Sequence, residues 1–216
     1  TSYIILFLII FQGIIGWYMV KSGLVNNVTV SHYRLSLHLT IAFLIISIIF
    51  WEILKIKKKS FRRFFKNKID NYPFYFLFII IFCQIILGAF VSGLDAGKVY
   101  QTWPLMNYSY FPDDVTIKNF KDLLDFNDRG LIQFYHRNTA YLITLYIFII
   151  GYYVLKKNDY NLKKPLFYLV TVFFLQIFLG ILTLISGLNI YLASAHQICS
   201  LLLMLSAINL YFYYIK

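Results

Sequence analysis

Three of the four histidines occupy the same position in the sequence pattern and are the residues best placed to do chemistry. His38, His136 and His196 each lie near one end of a long apolar run. They lie roughly four to seven residues inside that end, which at about 1.5 Å per residue gives a common depth on the order of 6 to 10 Å. One buried histidine can simply hydrogen-bond a neighbouring helix, but a layer of three favours a functional role. His32 belongs to no apolar run and is interpreted as a solvated loop residue.

Imidazoles from different helices at one depth limit the kinds of metal or cofactor that such a site could bind. Zinc and di-iron sites in helical bundles usually recruit carboxylates, and Glu52, the only acid inside an apolar run, lies near the opposite end. Heme fits better, because two imidazoles from facing helices can ligate its iron while apolar helices enclose the macrocycle. His136 and His196 are the predicted ligand pair.

Polar residues beside the histidines have two interpretations each. Arg137, next to His136, would pair with heme propionates as a charge-assisted donor or extend to the membrane interface. Arg34, four residues before His38, presents the same choice. Neighbours that would orient an imidazole, or else lie at the interface, are Gln133, Asn138 and Gln197.

The elements that must position these residues are membrane-spanning helices. Hydrophobic residues make up 60% of the 216 positions and charged residues only 13%, and the mean hydropathy is +0.70. Such a composition predicts an all-α integral membrane protein. A spanning helix needs about 20 apolar residues, and the six suitable runs are 3–20, 35–54, 73–94, 131–155, 165–186 and 190–215.

The net charge of +11 reflects membrane topology rather than a nucleic-acid partner. Eight of the 20 basic residues fall in the segment Lys55 to Lys68, and four more follow the fourth run between positions 156 and 164. The positive-inside rule places these loops and Lys216 in the cytoplasm. Both ends of the chain are therefore expected to be cytoplasmic, with the histidines near the outer face of the membrane.

An internal repeat relates the helices. The segment "QGIIGWYMVKSGL" (12–24) aligns without a gap with "QIFLGILTLISGL" (176–188), and "QIILGAFVSGL" (84–94) is a version two residues shorter. Each copy leads into a helix carrying one of the three histidines. Taken singly, the glycines suggest close helix packing, whereas the aligned duplication indicates pseudo-symmetric halves. Helices three to six would form one complete half, so the chain is expected to lack two helices before Thr1.

Several segments in order carry a family resemblance. They are "QGIIGWYMVKSGL", "VSHYRLSLHL", "LGAFVSGLDAG", "YQTWPLM", "IQFYHRNTAYL" and "LASAHQ". Together they resemble heme A synthase of the proteobacterial and mitochondrial subgroup. The resemblance implies eight helices in a pseudo-symmetric pair of four-helix bundles, of which this chain has helices three to eight. Residues 1–72 would then be the second half of the substrate-heme bundle plus a basic cytoplasmic loop, and 73–216 the heme b bundle with a long outer loop, 93–130.

The same resemblance assigns roles to the site residues. It implies that His136 and His196 ligate the iron of heme b with Arg137 beside the cofactor, and that His38 is the catalytic-site histidine facing the substrate, heme O. The implied reaction oxidises the C8 methyl group of heme O to a formyl group, giving heme A for cytochrome oxidase. The partner histidine of His38 is absent from this sequence, so the segment alone is expected to bind heme b without turnover.

The resemblance and the residues also imply partners. These are heme O and the enzyme that makes it, the lipid bilayer and an external electron donor, since no dinucleotide fingerprint or cluster of thiolates is present. A homo-oligomer is left open, and nucleic acid is excluded.

Two rival functions and one loop complete the expectations. A bis-histidine b-type cytochrome would share the histidine layer, but a transmembrane carrier usually needs hemes near both faces. A transporter would show inverted repeats, whereas here each copy runs outward first.

The outer loop is either a lid or an interfacial aromatic belt. The belt is favoured for its aromatic residues Tyr100, Trp103, Tyr108 and Tyr110.

Overall fold

Six long helices are present in the part of the chain that the structure describes, as the apolar runs predicted. A computed structural model describes residues 2–23, 29–65 and 68–215. In these ranges the helices are α1 (Ser2–Gly23), α2 (His32–Lys57), α3 (Tyr72–Gly93), α4 (Arg129–Lys156), α5 (Tyr160–Ile185) and α6 (Ile190–Tyr214). Each is long and apolar enough to cross a membrane. Leu24 of the first repeat copy, Lys66 of the basic segment and Lys216 lie outside the described residues.

Side-chain caps decide where the later helices begin. The carboxylate of Asp128 accepts the backbone N–H of Leu131 at 2.8 Å and so caps α4. The carboxylate of Asp159 accepts the backbone N–H of Asn161 at 3.0 Å. Helix α5 therefore begins at Tyr160 and not at Pro165, which lies inside it. The apolar run had placed that start too late, because capping and first-turn residues are polar.

Helices α3, α4, α5 and α6 form a ring, with each helix packed against the next and α6 packed against α3. Their apolar side chains share one core, which also receives Phe43, Trp51 and Leu54 of α2. Helix α2 thus packs outside the ring against α3 and α6, and α1 packs against α2. In the ring, α4 and α6 lie diagonally opposite each other, with the bundle interior between them.

The basic segment folds against one end of this bundle, here called the basic end. The carbonyl of Phe64 accepts hydrogen bonds from the hydroxyls of Tyr75 at 3.1 Å and Tyr211 at 2.7 Å. Arg62 donates to the carbonyl of Phe212 and lies over its ring. The loop after α2 is therefore attached to α3 and α6. The three histidines of the layer lie toward the other end, here called the histidine end.

Candidate functional site

Each histidine of the layer contacts a glutamine on the preceding helix. The imidazole Nε2 lies 3.2 Å from the amide nitrogen in the first unit and 3.3 Å in the other two. The pairs are Gln12 with His38, Gln84 with His136, and Gln176 with His196. The repeat seen in the sequence is thus a repeated contact between neighbouring helices.

These contacts indicate which ring nitrogen of each imidazole carries the proton. The amide nitrogen of Gln12 also donates to the carbonyl of His38 at 3.0 Å, and that of Gln84 to the carbonyl of His136 at 3.1 Å. Since an amide nitrogen only donates, the imidazole Nε2 must accept, and the ring proton is assigned to Nδ1. In the third unit Nδ1 of His196 lies 3.1 Å from the carbonyl of Gln176, to which it donates. This neutral tautomer keeps a lone pair on Nε2, which iron ligation requires.

A glycine one turn after each glutamine makes room for the imidazole of the histidine. Residues four apart share a helix face, so each glutamine and its glycine form one wall for the imidazole. A Cβ added at the glycine would lie 3.1, 3.2 or 2.8 Å from Cε1 of the histidine at Gly16, Gly88 and Gly180, respectively. A Cβ at Gly13, on another face of α1, would meet nothing within 4 Å. These three glycines accommodate imidazoles, so the interpretation as helix-packing residues was incomplete.

The ring brings His136 and His196 together and leaves His38 outside. His136 lies on α4 and His196 on α6, the diagonal helices of the ring, and the two imidazoles are within electrostatic reach of each other. His38 lies on α2, which packs outside the ring. The structure therefore separates one pair of histidines from the third.

The pair fits a heme iron. Nδ1 of His136 and the side-chain oxygens of Gln84 and Gln176 are buried and have no hydrogen-bond partner in the described part of the chain. Orphaned buried polar atoms are rare and require an explanation, such as a ligand. Among the described residues no group of three or more His, Cys, Asp and Glu side chains could hold an ion. Neutral imidazoles on diagonal helices are suited to axial ligation, and ligation at Nε2 would require the glutamine amide to release that nitrogen.

Arg137 holds the long loop over the histidine end. Its guanidinium donates to the carbonyl of Leu105 at 3.1 Å and to the carbonyl of Tyr100 at 3.0 Å. Gln133, one turn earlier on α4, donates to the same Tyr100 carbonyl at 2.7 Å. Nε of Arg137 is buried without a partner among the described residues. The Nε donor of this guanidinium is thus buried and available to a ligand.

Comparison with known proteins shows the family to which the chain belongs. The model of the cytochrome oxidase assembly protein family COX15-CtaA matches residues 1–208. The chain belongs to this family. A heme A synthase of Pelagibacter ubique (strain HTCC1062) is 50% identical over 207 residues, which cover 94% of this chain and 59% of the relative. A heme A synthase of Rickettsia africae (strain ESF-5) is 39% identical over 212 residues, covering 97% and 62%.

The family assignment confirms the resemblance drawn from the six segments. Like these two, the heme A synthase of Rickettsia conorii (strain ATCC VR-613 / Malish 7) aligns with nearly the whole chain, at 40% identity over 97% of its length. The chain spans between 59% and 62% of the length of these curated relatives. It is a multi-pass membrane member of the COX15-CtaA family, built from six apolar helices.

The loop of this family member differs from the aromatic belt that the sequence suggested. Tyr100 is only 2% exposed, and its hydroxyl donates to the carboxylate of Asp114. Burial and the neighbouring Asp114 raise the pKa of the Tyr100 hydroxyl. The belt interpretation was therefore wrong for Tyr100, which anchors the loop, whereas Tyr108 is 97% exposed.

His32 is not a solvated loop residue either. It is the first residue of α2, is 8% exposed and packs edge-on against the ring of Phe90. A Cβ at Gly93 would lie 2.7 Å from the His32 Cβ, so these backbones approach closely. This contact could not be predicted from local sequence, because it joins the start of α2 to the end of α3.

The residues that orient the imidazoles also differ from those expected. Gln133 binds the Tyr100 carbonyl, Asn138 donates to the carbonyl of Phe134 at 2.8 Å, and Gln197 is exposed. Of the two interpretations given for these neighbours, the one in which they orient an imidazole has no contact to support it among the described residues. The glutamines that begin each repeat copy do so instead, and their conserved place in the three copies was the available signal.

Proposed function

We propose that this chain carries the heme-binding region of a heme A synthase, which oxidises the C8 methyl group of heme O to a formyl group and supplies heme A for cytochrome oxidase. The proposal is supported by the names of the relatives and by the motifs of the sequence. The observation that carries it is the repeated unit of glutamine, glycine and histidine, which occurs twice in one ring with its histidines on the diagonal helices.

In this proposal His136 and His196 would hold the iron of heme b. Their neutral tautomers supply the lone pairs, and the apolar core of the ring offers the macrocycle a dry surrounding. Arg137 would direct its free Nε toward the propionates while its other donors keep the loop in place. When bound, heme b supplies one-electron redox chemistry at its iron.

The protein residues position the ligands and exclude water. Once its amide has released Nε2 of His136 to the iron, Gln84 would still donate to the His136 carbonyl and so keep the two helices in register. The segment between Tyr100 and Leu105, held by Arg137, lies at the histidine end of α4, where it would limit the access of water.

His38 is proposed to face the substrate, heme O, as the catalytic-site histidine. It has the same wall as the other two, formed by Gln12 and Gly16 of α1. The division into a substrate-side part, 1–72, and a heme b bundle, 73–216, follows from this assignment. We also propose that the protein lies in a bacterial inner membrane with both ends of the chain in the cytoplasm. Its electrons would come from an external donor, and its heme O from the enzyme that makes it. A homo-oligomer is left open.

A bis-histidine b-type cytochrome is the second candidate. It is favoured by one observation, that His136 and His196 form a complete pair within the ring without His38. The two functions are separated by expressing the full-length protein with heme O and analysing the extracted hemes by chromatography. Hydroxylated or formylated heme supports the synthase. Recovery of heme b with unchanged heme O supports the cytochrome.

A further inference from the structure

A cleft at the histidine end separates the α1–α2 pair from the ring. Its volume is about 400 Å³, and it lies between the start of α2, the end of α3 and the start of α4. Its lining includes Ser22, Ser31, Arg34, Leu94, Asp95 and Arg129. It is distinct from the interior space between His136 and His196.

The charge of this cleft is positive and uncompensated. Neither Arg34 nor Arg129 has an ion pair or a side-chain hydrogen bond within the described ranges. Asp95, the carboxylate in the described lining, pairs with Lys98 at 3.0 Å. Arg129 begins α4, where a helix dipole disfavours a cation, so helix stability does not account for it. Two guanidinium groups are thus available for a carboxylate or another oxyanion.

Arg34 connects the cleft to His38. The two residues are four apart on α2, so they share a helix face about 6 Å apart along the axis. Both face α1: the guanidinium of Arg34 lies 5.1 Å from the ring of Tyr18, and His38 contacts Gln12. A ligand held at His38 with acidic groups toward the histidine end would reach Arg34.

The arginine next to His136 is already engaged. Arg137 uses its terminal nitrogens on the carbonyls of Leu105 and Tyr100, whereas Arg34, among the described residues, contacts the ring of Tyr18. The arginines near His136 and His38 therefore differ in how many of their donors are occupied. The free one accompanies the histidine assigned to the substrate.

We infer that this cleft binds the propionate carboxylates of the substrate tetrapyrrole through Arg34 and Arg129. The inference rests on the proposed function, because it takes His38 as the substrate-side histidine. The inference names the groups that would orient the substrate. If the propionate carboxylates lie in the cleft, the opposite edge of the tetrapyrrole points toward the bundle interior. A phospholipid phosphate offers similar oxyanion chemistry at this membrane depth, so the test must distinguish the two sources.

The test compares a porphyrin with and without its acidic groups. The full-length protein carrying heme b is titrated with a further equivalent of iron protoporphyrin IX or of its dimethyl ester, and binding is followed by visible absorption. In Arg34→Gln and Arg129→Gln we expect affinity for the diacid to fall about tenfold or more, as for a lost hydrogen bond between charged groups. Affinity for the diester should not change. Arg63→Gln, an exposed charge at the basic end, is the matched control and should alter neither.

The outcomes separate this inference from the proposed function. Equal losses for diacid and diester, or no loss for either, would overturn the role of the cleft while leaving heme b binding and the His38 site in place. If the wild type binds no further equivalent, the substrate-side assignment itself fails together with the inference. If Arg34→Gln lowers retention of phosphatidylglycerol in native mass spectrometry but leaves the diacid affinity unchanged, the cleft is a lipid site and the inference is wrong.

Discussion

Replacing Gly180 by alanine tests the wall that holds His196. The added Cβ would lie 2.8 Å from Cε1 and 3.3 Å from Nδ1 of His196. Carbon atoms prefer a separation of about 3.5 to 4.0 Å, so the ring must move by roughly 1 Å or the helices must separate. Since Nδ1 is held by the carbonyl of Gln176, the ring cannot turn away without losing that hydrogen bond.

The energetic effect has two parts of opposite sign. Alanine is favoured over glycine inside a helix by about 1 kcal/mol, and overpacking a filled site costs typically 1 to 3 kcal/mol. The net change in stability of Gly180→Ala is therefore expected between about 0 and 2 kcal/mol of destabilisation. Displacing an oriented ligand usually lowers metal affinity by about 10 to 100-fold, so heme binding should suffer more than folding.

The assay is a heme titration followed by visible absorption, combined with thermal unfolding of the heme-free protein. Gly13→Ala is the matched control on α1, since its Cβ meets nothing within 4 Å, and it should keep heme affinity and be slightly stabilised. Gly88→Ala, with a Cβ at 3.2 Å from His136, should fall between the two. Wild-type heme affinity in Gly180→Ala, or an equal loss in Gly13→Ala, would refute the reasoning.

Three further predictions follow from the same contacts. Because Gln84 can keep its hydrogen bond to the His136 carbonyl after iron has taken Nε2, Gln84→Met should lower heme affinity by about tenfold, whereas the exposed control Gln197→Met should not; equal titration curves would contradict the orienting role. Because Tyr100 has a raised pKa, its neutral form stabilises the folded loop below the unfolded pKa of about 10, and this stability should be lost as the pH rises above it. Limited proteolysis of the loop should therefore increase at alkaline pH in the wild type, and the pH-dependent step should be absent in Tyr100→Phe. Arg137→Lys should expose the loop to protease, since an ammonium does not span the carbonyls of Leu105 and Tyr100 with a planar fork; unchanged cleavage would show that Gln133 alone holds it.

Much of the fold follows from local sequence. An apolar run long enough to cross a membrane specifies a helix almost without regard to its neighbours, so all six were predicted. Their ends were less certain, as Tyr160 shows: the polar first turn of α5 does not belong to the apolar run but is held by Asp159.

Contacts between helices were harder to predict. The pairing of His136 with His196 was predicted because both lie in the complete half of the repeat, but the glutamines that contact them depend on how each helix is rotated about its axis. A glutamine in an apolar run is equally consistent with many rotations, and only the threefold repetition distinguished Gln84 from other polar residues. Tyr100 and His32 were misread for the same reason, since their burial depends on segments far away in the sequence.

The central claim is that His136 and His196 form one heme site and that His38 belongs to another. It is tested most directly by the reduced-minus-oxidised absorption spectrum of the purified full-length protein after His136→Ala, His196→Ala and His38→Ala, at matched protein amounts and with folding checked by thermal unfolding. We predict that the heme b signal disappears in the first two variants and stays largely intact in the third. A heme b signal that survives the loss of His196, or that disappears equally with His38, would contradict the account.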